Sequence, residues 1–209
     1  MRKLAVNTFL TLDGVMQAPG GPGEDPSGGF THEGWSVNYW DDLMGQTMGE
    51  FMGKPFDVLL GRKTYEIFAA YWPNVTDGSG DSLNNAKKYV ASRTLKTVDW
   101  NNSSLIEGDV AEYVAGLKEQ SGPEIQVHGS GNLMQTLIKH DLIDEFQVMI
   151  FPILLGTGKR LFADGTIPAG LKLVDSKTAS TGVVIARYER AGDVKYGSFA
   201  LEEPTEGGG

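Results

Sequence analysis

Cysteine is absent from the 209 residues, which excludes disulfides, thiolate nucleophiles and every cysteine-based zinc site. Histidine is nearly as scarce. His32, His128 and His140 stand far apart with no His-x-x-x-His pairing, so no metal site is expected. No apolar run approaches the roughly 20 residues that a membrane helix requires. The start, Met1-Arg2-Lys3-Leu4, runs straight into a strand-like pattern without the small-residue cleavage site of a signal peptide. The cytoplasm is therefore the expected compartment. A basic excess is missing too. The net charge of −9 argues against nonspecific binding to nucleic acid or anionic membranes. An anionic ligand would need a local basic cluster, to be sought in particular loops.

The length fits one domain, and a hydrophobic fraction of 40% is ample for its core. That domain is expected over residues 1–201, with 202–209, ending in three glycines, as a flexible tail. Lys3 to Leu12 reads as a first strand. The stretch from Asp13 to Val37 is long, irregular and crowded with Gly and Pro, and is read as a lid over a site. Helical spacing follows over Trp40 to Met52, a buried strand over Phe56 to Leu60, and a helix over Thr64 to Trp72 ended by Pro73. Asp77 to Asp81 reads as a polar loop. Short strands are expected at Lys88 to Ala91 and Ser104 to Ile106, and an amphipathic helix over Val110 to Glu119. The strand Glu124 to Val127 leads through a glycine turn into a helix with Leu133, Met134, Leu137 and Ile138 on one face. A strong strand spans Asp144 to Leu155, and Leu171 to Lys177 with Val183 to Arg190 reads as a hairpin. Strands alternating with helices, then consecutive strands, predict a mixed α/β sheet with a parallel centre and an antiparallel C-terminal hairpin.

Three strand-to-loop junctions share one chemical character. Gly61-Arg62-Lys63-Thr64 follows the buried strand and opens a helix, whose free N–H groups favour an anion beside two cations and a hydroxyl. Ser92-Arg93-Thr94 again sets a cation among small hydroxyls. Gly129-Ser130-Gly131-Asn132-Leu133 lets a diphosphate approach the backbone at a helix start. Singly each has a bland reading: Gly61 as the end of a strand, Arg93 as a solvated charge, the glycines as a tight turn. Together they suit a ligand with several phosphates along the carboxyl edge of the sheet, where open α/β sheets bind ligands. The glycine spacing is not the Rossmann fingerprint, and Gly158-Lys159-Arg160 lacks a Walker frame.

The run from Leu59 to Glu66, Ser92-Arg93-Thr94 and Gly129 to Leu133 closely resemble the dihydrofolate reductase superfamily. They are nearest the branch with the reductase domain of bacterial bifunctional riboflavin-biosynthesis deaminase-reductases. Thr11-Leu12-Asp13-Gly14 and Phe151-Pro152-Ile153-Leu154-Leu155-Gly156 also resemble that branch, and the likeness covers roughly Lys3 to Arg190. It implies a three-layer sandwich, a homodimer and an NADPH-dependent reductase of a small pteridine- or pyrimidine-like heterocycle. It also implies Arg62 and Lys63 near the 2′-phosphate, Thr64 near the diphosphate, and Ser92 and Arg93 on the adenosine side. Gly129, Ser130, Gly131, Asn132 and Leu133 would cradle the diphosphate and nicotinamide ribose.

Asp13 is the expected polar ligand or proton relay for the substrate, its other reading being an Asp-Gly turn residue. Where dihydrofolate reductases place an acid on the first helix, this chain has Gly45, with Asp41 and Asp42 nearby. His128 stands where the riboflavin-pathway reductases commonly carry an acid, and reads as a hydrogen-bonded strand-end residue. Phe30, Trp35, Tyr39 and Trp40 form either an apolar wall over a planar substrate or a satellite core. The rival function is a nucleotide-binding regulatory or interaction module without turnover.

Overall fold

Leu4–Thr11 (β1) buries every residue but Phe9, which is the signature of a strand covered on both faces. It lies inside an eight-stranded sheet that the computed structural model describes within residues 1–199. The expected domain limit at 201 and the tail 202–209 lie outside the described residues. The other strands are β2 (Phe56–Gly61), β3 (Lys88–Ala91), β4 (Ser103–Leu105), β5 (Glu124–His128), β6 (Glu145–Phe151), β7 (Leu171–Thr178) and β8 (Val184–Arg190). Their order is β4-β3-β2-β5-β1-β6-β8-β7. The first six run parallel, and β8 and β7 add antiparallel pairings at one edge.

Helices α1 (Asp42–Met52), α2 (Arg62–Tyr71), α3 (Asp81–Asn85), α4 (Val110–Glu119) and α5 (Gly131–Lys139) cover the two faces. On one face Leu4, Val6, Ile125, Val127 and Val148 meet Val114 and Leu117 of α4 and Leu133, Met134 and Leu137 of α5. On the other, Met44 of α1 packs with Met149, Phe151 and Ile185, and Tyr65 of α2 with Phe56, Val58 and Leu60. The three-layer α/β sandwich with a parallel centre is thus present.

Two element boundaries differ from expectation. The strand expected to Leu155 stops at Phe151, because Pro152 has no N–H for the ladder. The loop around Asp81 turns into α3, which sequence periodicity does not signal. Its Asn84 accepts from the Trp100 indole at 2.8 Å and donates to the Trp72 carbonyl at 3.0 Å. Nearby, Lys88 is fully buried, and its ammonium donates to the carbonyls of Asn84, Ala86 and Asn101 at 2.9–3.0 Å. Three acceptors match its three protons, while burial pushes its pKa down to about 8.

At the amino ends of the parallel strands a buried ion pair ties the sheet together. The Arg2 guanidinium meets Asp57 of β2 at 2.5 Å and donates to the Pro123 carbonyl at 2.6 Å. Removing one member of a buried pair strands the other charge, at a cost of about 3–5 kcal/mol. Asp57→Ala is expected to lose that much in urea denaturation. Lys3→Ala, whose ammonium pairs with Glu189 from a mostly exposed position, should change stability by less than about 1 kcal/mol.

Candidate active site at the carboxyl edge

Because β2 and β5 are hydrogen-bonded neighbours, the loops leaving them meet. Ser130 Oγ accepts from the Gly61 N–H at 2.9 Å and lies 2.9 Å from Thr64 Oγ1, to which it donates. Two glycines make this approach possible. A Cβ at Gly61 would fall 3.3 Å from Ser130 Cβ, and Gly129 has a φ of +55° with Thr64 Oγ1 directly above it. Ser130 is itself left-handed, φ 66° and ψ 55°, a conformation that costs a non-glycine residue about 1 kcal/mol or more. Its hydroxyl contacts hold it there.

The helix starts behind these loops are chemically distinct. Asp41 caps α1 by accepting from Met44 N, and Asp109 caps α4 by accepting from Ala111 N and Glu112 N. Neither Gly61 nor Ser130 caps α2 or α5 through a side chain. The first N–H groups of α2 and α5 are therefore left for an anion.

The third junction is joined to the first. Arg62 Nη1 donates to Thr94 Oγ1 at 2.7 Å, and Nε pairs with Glu66 at 2.7 Å. Ser92 Oγ accepts from the N–H groups of Thr94 and Leu95, which fixes the turn and leaves Arg93 exposed in it; Asn132, in the first turn of α5, is exposed too. The fold thus lines up Ser92, Arg93, Arg62, Lys63, Thr64 and residues 129–132 along one edge. Leu133 contributes only backbone there, because its side chain is in the core.

Asp13 sits farther along the same edge. It accepts from Thr11 Oγ1 at 2.5 Å, from Gly156 N at 2.7 Å and from Leu155 N at 3.3 Å. The Thr11 bond holds its carboxyl below the usual range; burial opposes this, and the two amides reinforce it. Asp13 thus ties the end of β1 to the 155–156 loop. The Arg160 guanidinium stands 3.8 Å from the same carboxylate, so Asp13 is closely partnered within its own loop.

His128 is at the buried end of β5, against the rings of Phe51 and Phe68. Gln126 Nε2 donates to Phe51 O and Glu124 Oε1, so its Oε1 accepts from His128 Nε2–H at 3.2 Å. Burial lowers the His128 pKa to about 4, and the ring is neutral at pH 7.

Among the lid aromatics, Phe30 packs with Val15 and Ala18, and Trp35 and Tyr39 stand edge-on to Phe151. Phe30 and Trp35 thus belong to a satellite core, while Tyr39 packs on the sheet-face core around Phe151. Trp40, tilted against Phe9 at 5.9 Å and 47% exposed, is left facing outward.

Sequence reasoning missed Asp25 and Lys159. The 13–37 loop folds back so that Asp25 accepts from Lys159 Nζ at 2.5 Å and lies 3.6 Å from Lys63 Nζ. Lys159 also donates to Ser27 Oγ at 2.9 Å. Gly158 permits the close packing, since a Cβ there would strike Val15 at 2.6 Å. The basic pair after two glycines at 156–160 was the available signal. Among the described residues no cluster of His, Asp and Glu could hold a metal, and no helix is long and apolar enough to cross a membrane.

A mostly parallel sheet closed by an antiparallel pair, with its ligand-suited junctions on the carboxyl edge, defines a dihydrofolate reductase-like domain. The chain belongs to the RibD C-terminal domain family, whose model matches residues 2–185. It is 31% identical to Uncharacterized protein YyaP of Bacillus subtilis (strain 168) over 196 residues, 90% of this chain and 94% of the relative. It is 26% identical to Uncharacterized protein YwjB of the same organism over 193 residues, 91% and 99% of the two chains. Among solved structures it resembles a Shewanella sp. PV-4 protein whose name assigns it to riboflavin biosynthesis, with a TM-score of 0.62, 21% identity and coverage of 90% and 99%. A pyrimidine reductase-like protein of Corynebacterium diphtheriae superposes with a TM-score of 0.61 at 12% identity, covering 92% of this chain and 93% of that one.

The buried His128 has a consequence for acid stability. Its folded pKa of about 4 lies below the ordinary 6.5, so the unfolded chain takes up the proton first. The contribution of this one group, about 3 kcal/mol, should be lost as pH drops from about 6.5 to about 4. Urea denaturation across that range should show a shallower loss in His128→Gln.

Proposed function

We propose that the chain is an NADPH-dependent reductase acting on a small pteridine- or pyrimidine-like ring. One observation carries this reading: two uncapped helix starts, locked together through Ser130, open beside Arg62 and Lys63 on the carboxyl edge of a dihydrofolate reductase-like sheet. The family and the names of its structural neighbours point the same way. The residues fit the cofactor's phosphates. A diphosphate would meet the N–H groups of Gly131, Asn132 and Leu133 with the Thr64 hydroxyl alongside. Arg62, turned toward Thr94, lies where a 2′-phosphate would sit near Ser92 and Arg93. Bound NADPH would supply the hydride. The chain's own task is to orient two rings and keep water out. Asp13 would hold a ring N–H or amino group by exchanging one of its present partners for it, and Trp40 and Phe9 would flank a planar ring.

One observation favours the second reading, a nucleotide-binding module without turnover. Asp13 is held ionised and His128 neutral, so neither is an acid at pH 7 and a proton would have to come through water. An NADPH-oxidation screen over pteridines, pyrimidines and quinonoid compounds separates the two readings: turnover with any of them supports the reductase. The cytoplasm and a homodimer belong to the same proposal. The outer strand β7 presents Leu171, Leu173 and Val174, a surface suited to a second copy, and light scattering reads the mass.

NADPH should bind more tightly than NADH, and Arg62→Ala should remove most of that preference, about 1.5–3 kcal/mol for a charge-assisted contact. Equal affinities in calorimetry would end the assignment of Arg62. Gly131 tests the cradle. A Cβ there meets only ordinary contacts, Lys159 at 3.7 Å and Met16 at 3.9 Å, so Gly131→Val should fold normally by circular dichroism and lose NADPH affinity. Retained affinity would make the turn purely structural.

A further inference from the structure

Asp25 is out of place for a lid residue. It reaches from a glycine-rich loop to lie between two lysines that come from opposite sides of the glycine turn. Lys63 belongs to the first turn of α2, next to Thr64, which touches Gly129 and Ser130. Lys159 passes over the first turn of α5, where its Cβ and Cδ are the nearest side-chain atoms to Gly131. The carboxylate of Asp25 lies 2.5 Å from one ammonium and 3.6 Å from the other. Burial opposes its ionisation, yet the Lys159 ammonium and the Ser27 hydroxyl outweigh burial and hold its carboxyl below the usual range.

The backbone on either side is built to keep this arrangement. Lys159 N donates to Gln17 Oε1 and Lys159 O accepts from Met16 N, so the base of the lysine is fixed to the loop that follows β1. The Gln17 amide in turn donates to the carbonyls of Asp25 and Ser27. A cavity of about 340 Å³ lined by Gln17, Ser27, Phe30, Thr157 and Lys159 opens beside the contact. Ser27 and Lys159, the two partners of the carboxylate, thus border open space. In a chain of net charge −9, a pair of lysines at two uncapped helix starts is an unusual local concentration of positive charge.

We infer that Lys159 and Lys63 form an anion seat for a diphosphate, and that Asp25 occupies it until the ligand exchanges places with the carboxylate. The identity of that diphosphate as part of NADPH rests on the function proposed above; the seat itself does not. Lys63 then serves the diphosphate, while Arg62, turned the other way toward Thr94, is left for the 2′-phosphate. Lid opening and ligand entry become one exchange, in which each lysine trades one negative partner for another.

The test uses inorganic pyrophosphate and NADPH as separate probes in calorimetry of the intact chain, D25N, K159M and the double variant. D25N should bind pyrophosphate about tenfold more tightly, as when a competing state holding roughly nine molecules in ten is removed. K159M should bind it more weakly in either background. If D25N binds pyrophosphate no better than the unaltered chain, or K159M binds it equally well, the seat is overturned and the Asp25–Lys159 contact is a clasp of the lid. If D25N gains for pyrophosphate but neither protein binds NADPH, the seat stands and the NADPH assignment falls. Gains for both probes support both.

Discussion

One hydroxyl holds the candidate site in register. Ser130 Oγ takes the amide of Gly61 and gives its proton to Thr64, and through it the starts of α2 and α5 become a single surface. Without that bridge the Gly61 amide would need another acceptor, and Ser130 would have little reason to stay in a left-handed conformation. The bridge also explains which glycines matter. Gly61 and Gly129 are small because the partner loop is in contact with them, whereas Gly131 has space around it. Two different demands, close packing and close ligand approach, thus lie within three residues of the same turn.

Much of the fold was legible because burial on both faces writes itself as nearly continuous apolar runs, as at Phe56 to Leu60, which Asp57 alone interrupts. The junctions were legible for a related reason: glycines, hydroxyls and cations gather where strands end. Their union was not legible. It depends on β2 lying next to β5, a neighbour relation between segments more than 60 residues apart that no local pattern contains. The partnership of Asp25 with Lys159 spans 134 residues and is invisible for the same cause. α3 forms because Trp100, downstream of it, accepts its packing. The lid aromatics were ambiguous in sequence, since an apolar wall and a satellite core have the same composition. Only the position of Phe151 beneath Trp35 and Tyr39 decides between them.

The two ends of the parallel strands are treated differently. At the amino ends, Arg2 and Asp57 are sealed from solvent and fix the strands to each other. At the carboxyl ends, the starts of α2 and α5 lack side-chain caps, and Lys159 is held by Asp25 of the 13–37 loop. Asp13 stands at the boundary, tying β1 to the 155–156 loop and so fixing the base from which Lys159 projects.

Lys88 has a consequence for chemistry on the whole protein. Its amine is enclosed by three carbonyls and the face of Trp100, so an acylating reagent in solution finds no path to it while β3 and α3 stay packed. The lysines on the surface will be labelled within the folded state. Label on Lys88 records only those molecules that have opened the β3 side of the sheet, which makes this residue a natural clock for the rate of opening.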